Sequence, residues 1–152
     1  MKPVFAALIA TTMLAALTAN AQDQPKQPAA PQTASNPGLG EIMALQQMRH
    51  SKLWFAGRAG NWPLADYEIG ELNEGFDDVN KLLGGDTAQK AIGAQMTALE
   101  KIVDAKDRAA FTAAFDKLTA GCNSCHRMLD HGFIVIQRPT LQPYGNQSFT
   151  VQ

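Results

Sequence analysis

The sequence predicts an all-α protein: an antiparallel four-helix bundle with a disordered N-terminal leader and an irregular C-terminal tail. Three observations carry that expectation. Apolar residues recur at alternating steps of four and three through much of the chain, the period of a helix with one buried face. Short segments rich in Gly, Asp, Asn and Pro separate these stripes, so successive helices turn back on one another. Strand signals are scarce, the one short β-like run being Phe133 to Ile136. The 152 residues, 45% hydrophobic and 18% charged, allow one domain with tails. A formal charge of -1 argues against nucleic acid as a partner, which calls for a basic excess.

The first segment reads as targeting rather than fold. Lys2 gives a short positive n-region, Val4 to Leu17 is an apolar run broken only by Thr11 and Thr12, and Ala19-Asn20-Ala21 is an A-x-A cleavage site. The run falls short of the ~20 residues that span a bilayer. Residues 1–21 are therefore expected to be a cleaved signal peptide, with export to a bacterial periplasm and no stable membrane insertion afterwards. Residues 22–37 carry Pro25, Pro28, Pro31 and Pro37 among Ala and Gln, a composition that cannot bury a core, and are expected to form a solvated leader. The bundle is expected over residues 38–132, followed by a tail over 133–152.

The first helix is expected over Glu41 to Arg58, with Ile42, Leu45, Met48, Leu53, Trp54 and Phe55 on a broad apolar face that Arg49 and Lys52 interrupt. Asn61-Trp62-Pro63 restarts the chain, because proline is tolerated in a first helical turn. The second helix carries Ala65, Ile69, Leu72, Phe76, Val79 and Leu83 on one face and stops at Gly84-Gly85. Asp86, with Gln89 three residues on, resembles a capping box for a third helix striped by Ala88, Ile92, Met96, Leu99 and Val103. A fourth begins near Asp107, carries Phe111, Phe115, Leu118, Cys122, Cys125 and Leu129, and is expected to stop at Gly132.

The chemistry-bearing motif lies in that last stripe. Cys122-Asn123-Ser124-Cys125-His126 is C-x-x-C-H, the attachment signature of c-type haem. On a helix, positions i, i+3 and i+4 share a face, so two sulfurs and an imidazole can converge on one ligand. Cys122 and Cys125 would tether one haem c per chain through thioethers. His126 would reach the iron as proximal ligand, its other ring nitrogen held by a backbone carbonyl. Three other readings stand beside this one. A thiol oxidoreductase also uses C-x-x-C, but its pair opens a helix within an α/β fold. A zinc site would need a fourth ligand, His131 or His50. A plain disulfide between Cys122 and Cys125 is the third.

With these residues the chain resembles the class II c-type cytochromes, the cytochrome c′ and cytochrome c-556 group of exported four-helix bundles with C-x-x-C-H near the end of the last helix. The resemblance spans about Leu39 to Gly132. It implies that Cys122 and Cys125 are the thioether positions and His126 the proximal ligand. In the first helix Arg49-His50-Ser51-Lys52-Leu53 is similar to the family's pattern, which implies that Leu53 covers the open face of the iron and that Arg49 sits near a propionate. The stretch Arg49 to Gly57, together with Asn61 to Glu68, also resembles a broadly distributed set of small bacterial c-type cytochromes. The resemblance further implies redox partner proteins and a homodimer through the first two helices.

The sixth iron ligand separates a one-electron carrier from a five-coordinate binder of nitric oxide or carbon monoxide. Met48 and His50 are the nominees on the first helix, with Met43 and Met96 also available. Met48 and His50 point about 200° apart and cannot both ligate. Each methionine also reads as a gap-filling core residue, and His50 as a solvated or propionate-facing one. The acidic second helix (Asp66, Glu68, Glu71, Glu74, Asp77, Asp78) and basic first helix (Arg49, Lys52, Arg58) read chiefly as solvated faces, with pairing across the helices or a redox-partner docking patch as the sharper alternatives. Trp54, Trp62 and Tyr67 read as core or loop anchors, and Arg138 as a group within reach of a propionate.

Overall fold

The structure, a computed structural model, describes residues 36–151. The expected signal peptide and all but the last two residues of the expected leader lie outside the described residues. Within them the fold is all-α: α1 Leu39–Ala59, α2 Trp62–Leu83, α3 Thr87–Asp104 and α4 Arg108–Met128. None of these helices is long and apolar enough to cross a membrane.

Local chemistry accounts for most boundaries. Gly38 precedes α1, and its N–H donates to Glu41 Oε2 at 2.8 Å. Gly60 ends α1 in the left-handed region at φ 75°, which favours glycine. Asn61 Oδ1 accepts from the Leu64 N–H at the start of α2. Asp107 Oδ1 accepts from the Ala109 and Ala110 N–H groups at the start of α4, each at 3.0 Å.

Two expected boundaries need correction. Asp86 precedes α3 but does not cap it: its carboxylate pairs with Lys90, and Asn80 Oδ1 of α2 takes the Ala88 N–H at 2.9 Å instead. α4 stops at Met128, ahead of Gly132, because Asp130 itself adopts the left-handed conformation at φ 61°.

The stripes of α2, α3 and α4 bury over most of their length, with Phe76, Cys122, Cys125 and Leu129 half-buried and Leu83 exposed at the end of α2. α1 differs. Its inner face is Ile42, Gln46, His50, Leu53 and Gly57, at steps of four, four, three and four, while Leu45 is exposed. Two polar residues therefore sit where the apolar reading had none. Gln46 Nε2 donates to the Leu72 carbonyl at 2.7 Å and its Oε1 accepts from Arg49, so both ends of the amide are satisfied.

Four of the charges pair across α1 and α2, while Asp66, Glu74, Asp77 and Asp78 of α2 and Arg58 of α1 lie on exposed faces. Arg49 bonds Glu71 at 2.7 Å, and Lys52 Nζ stands 3.0 Å from Glu68 Oε1. Glu68 is 1% exposed, and burial pushes its carboxyl pKa up despite Lys52.

Phe133 to Ile136 is extended but belongs to no sheet. Its backbone groups bond to α4 side chains in place of a second strand: Ile136 exchanges two hydrogen bonds with the Asn123 amide, and the Ile134 carbonyl bonds His126. The irregular tail then packs along the bundle within one compact unit. Arg138 pairs with Asp116 and lies 4.8 Å over the Trp54 ring, and Phe149 is buried against Phe55. Arg138 is thereby committed to the side of α4, away from the cavity described next.

Candidate functional site

Most of the core lies where α1 and α3 end and α2 and α4 begin. There Leu53, Trp54, Ile69, Leu99, Phe111 and Phe115 form one cluster. At the opposite end only Ile42, Val79 and Ala88 cluster. Between the four helices at that end lies a cavity of about 330 Å³, within the usual size of ligand pockets, ~300–1,000 Å³. Its walls are largely apolar: Leu39 and Met43 of α1, Leu72, Phe76 and Val79 of α2, Ile92 of α3. Cys122, Cys125 and His126 of α4 line it, as do His50 and, from beyond α4, His131, Ile134 and Ile136.

The motif residues are brought together because α4 carries them on the face that, one turn earlier, holds Leu118 in the core. Both cysteines are free thiols. Burial, reinforced by Cys125, pushes the Cys122 thiol up to about 12, and burial raises Cys125 as well. Both lie in the last two turns of α4, where the helix dipole disfavours a thiolate. Activated thiols have the opposite setting, an electropositive one that lowers the pKa.

His126 Nδ1 lies 2.9 Å from the Ile134 carbonyl oxygen. A carbonyl only accepts, so Nδ1 carries a proton, and Nε2 is the nitrogen left to face a ligand. This is the orientation that a ligating histidine takes, with the other nitrogen anchored to a carbonyl. His131 donates from Nδ1 to the Leu129 carbonyl, at the end of α4.

The nominees on α1 part company. His50 lines the cavity and is 4% exposed, so it is neither solvated nor at the rim; burial lowers its pKa to about 4. Met48 points away and receives the Tyr144 hydroxyl of the tail, so it is no neighbour of the cavity. Arg49 is held by Glu71 and Gln46 and lines no part of it. Leu53 is fully buried in the aromatic cluster, one turn too far along α1 to face the cavity. Met96 is likewise core.

Of the methionine nominees, Met43 is the one that lines the cavity. α1 and α4 run antiparallel with contacts that descend in step: Gly57 meets Phe111, Trp54 meets Phe111 and Phe115, and His50 meets Phe115 and Thr119. Beyond those contacts Met43 of α1 and His126 of α4 both line the cavity. The sequence signal for Met43 was its place four residues before Gln47 and seven before His50, on one helical face.

Among the described residues no three His, Cys, Asp or Glu side chains converge as they would around a bare metal ion. The class defined so far is a four-helix bundle with two thiols and an oriented imidazole in an apolar end-cavity. Compared with known proteins, the chain matches no family model, no curated protein and no solved structure.

Proposed function

We propose that the chain is an exported, periplasmic monohaem c-type cytochrome that carries single electrons between redox partner proteins and turns over no substrate of its own. The observation that supports it most is His126, oriented through Nδ1 by the Ile134 carbonyl and lining one apolar cavity with both thiols of C-x-x-C-H. Haem c, when bound, supplies the one-electron iron couple. Cys122 and Cys125 would hold it through thioethers, each S–H adding across a vinyl group of the haem so that no oxidant would be consumed. His126 Nε2 would be the proximal ligand, and Met43, which lines the same cavity, the candidate sixth ligand. The apolar walls exclude water and favour the less charged reduced state.

The raised thiol pKa values and the placement of the pair late in α4 weigh against thiol–disulfide exchange. The test is expression of the full chain with a haem-attachment system. Covalent haem is expected in the wild type and absent from the Cys122→Ser/Cys125→Ser variant. The reduced spectrum is expected to be low-spin with sharp α and β bands. A high-spin spectrum that shifts with carbon monoxide would overturn the electron-carrier reading in favour of gas binding.

A further inference from the structure

Beyond α4 the chain turns back along the helix that carries the motif, and the backbone pins the turn. The His131 N–H donates to the His126 carbonyl at 2.7 Å, and the Ile134 N–H to the His131 carbonyl at 2.9 Å. Residues 133–136 then run extended, with side chains to alternate sides: Ile134 and Ile136 line the cavity, whereas Phe133 and Val135 are 81% and 62% exposed. In an extended chain the N–H and C=O groups of alternate residues share one edge, and here that edge faces α4. The Ile134 carbonyl accepts from His126 Nδ1 at 2.9 Å. Ile136 meets the Asn123 amide twice: Nδ2 donates to its carbonyl at 2.8 Å, and Oδ1 accepts its N–H at 2.7 Å. One side-chain amide, with a donor and an acceptor, thus takes the place of a neighbouring strand.

The pairing sets a register. Asn123 lies three residues before His126 and Ile136 two after Ile134, so the helix and the segment pair in opposite directions. A slip of one residue would turn the Ile134 carbonyl away from His126 and put Phe133 and Val135 on the cavity side. Asn123, with two bonds to one residue, holds the segment against that slip beyond the turn. We propose that Asn123, inside C-x-x-C-H, is a positioning residue for the histidine of that motif. By holding Ile136 it keeps the Ile134 carbonyl on Nδ1 and so sets the plane of the His126 ring. This rests on the haem reading above, in which Nε2 of the same ring meets the iron. A carbonyl on the far nitrogen fixes the orientation of a ligating imidazole. A ring held in one plane offers the same geometry to both charge states of the iron.

The test uses the full chain with its haem attached. One readout is solvent exchange of the His126 Nδ1 proton in the reduced protein. The other is the spread of the haem methyl shifts in the ferric protein, which reports the plane of the axial imidazole. Wild type is expected to show a slowly exchanging Nδ1 proton and a wide spread. Asn123→Ala is expected to keep its covalent haem, exchange that proton about tenfold or more faster, and narrow the spread. Asn123→Asp, which retains an acceptor for the Ile136 N–H but no donor, is expected to fall between. Phe115→Ala, at the aromatic end of the core, is expected to match wild type in both readouts although it costs more stability. Either Asn123 variant with wild-type exchange and methyl shifts overturns the proposal. So does a Phe115→Ala protein that exchanges the proton as fast as Asn123→Ala, because exchange would then follow overall stability. Covalent haem in wild type without a protected Nδ1 proton overturns it and leaves the haem reading standing. A wild-type chain that takes no covalent haem overturns the haem reading, and this proposal with it.

Discussion

At one end of the bundle Trp54, Phe111 and Phe115 stack between the helices, Gly57 lets the Phe111 ring reach the α1 backbone, and the tail adds Phe149. At the other end the same four helices enclose Ile42, Val79 and Ala88, and beyond them an apolar cavity with Cys122, Cys125 and His126 on its wall. The first end fills its own volume. The second has apolar walls and too few side chains to fill the space between them, which costs contacts and cohesion unless a ligand supplies them. Packing is concentrated at the aromatic end and the proposed chemistry at the cysteine end, and substitutions should separate the two.

The largest effect is expected at the aromatic end. Phe115→Ala removes a fully buried ring in contact with His50, Trp54 and Phe111. A loss of about 3–5 kcal/mol in denaturant unfolding is expected, with the haem still covalently attached. Loss of covalent haem with unchanged stability would break the comparison.

His50, at the boundary between the ends, should make the fold acid-sensitive. Its pKa falls from 6.5 to about 4 on folding, so the unfolded chain binds the extra proton between those values. Stability from this group is complete above about pH 6.5 and is lost as pH falls toward 4, by up to about 3 kcal/mol. Glu68, pushed up by burial, acts with the opposite sign. The measurement is therefore unfolding free energy against pH for wild type and His50→Leu, the difference slope belonging to His50. Parallel curves would contradict it.

Asn123→Ala probes how the cysteine end is walled. It removes both hydrogen bonds to Ile136, at 2.8 and 2.7 Å, and with them one anchor of the segment that orients His126. A loss of about 1–3 kcal/mol is expected, together with faster amide exchange over residues 133–138. The smallest change in stability is expected for Met43→Leu, within about 1.5 kcal/mol. Yet that variant should abolish the methionine band of the ferric haem. A retained band would remove Met43 from the site.

Much of this division was legible in the sequence. The stripes of α2, α3 and α4 name most of their buried residues directly, because the inward positions are apolar apart from Glu68 and Thr119. α1 was misread because two of its five inward positions, Gln46 and His50, are polar, and an apolar count passes over them to Leu45 and Met48. Their burial is satisfied by Leu72, Arg49 and Thr119, partners 26, 3 and 69 residues away, which no local pattern displays. The placement of Leu53 and Arg49 came from a short motif, whereas the register of α1 on α4 puts one in the aromatic core and the other on Glu71. The tail gave no periodic signal at all: Phe149 is one buried ring in an irregular segment, and Asn123 bonds the backbone of residue 136 rather than a side chain.

The division of labour between the two ends stands or falls on what the cysteine end holds. The most direct measurement is the intact mass of the full chain, expressed with a haem-attachment system and denatured before analysis. The expected result is the polypeptide plus one haem, retained after unfolding and mapped to the peptide that contains Cys122 and Cys125. A denatured chain with the mass of the polypeptide alone and two titratable thiols would contradict it.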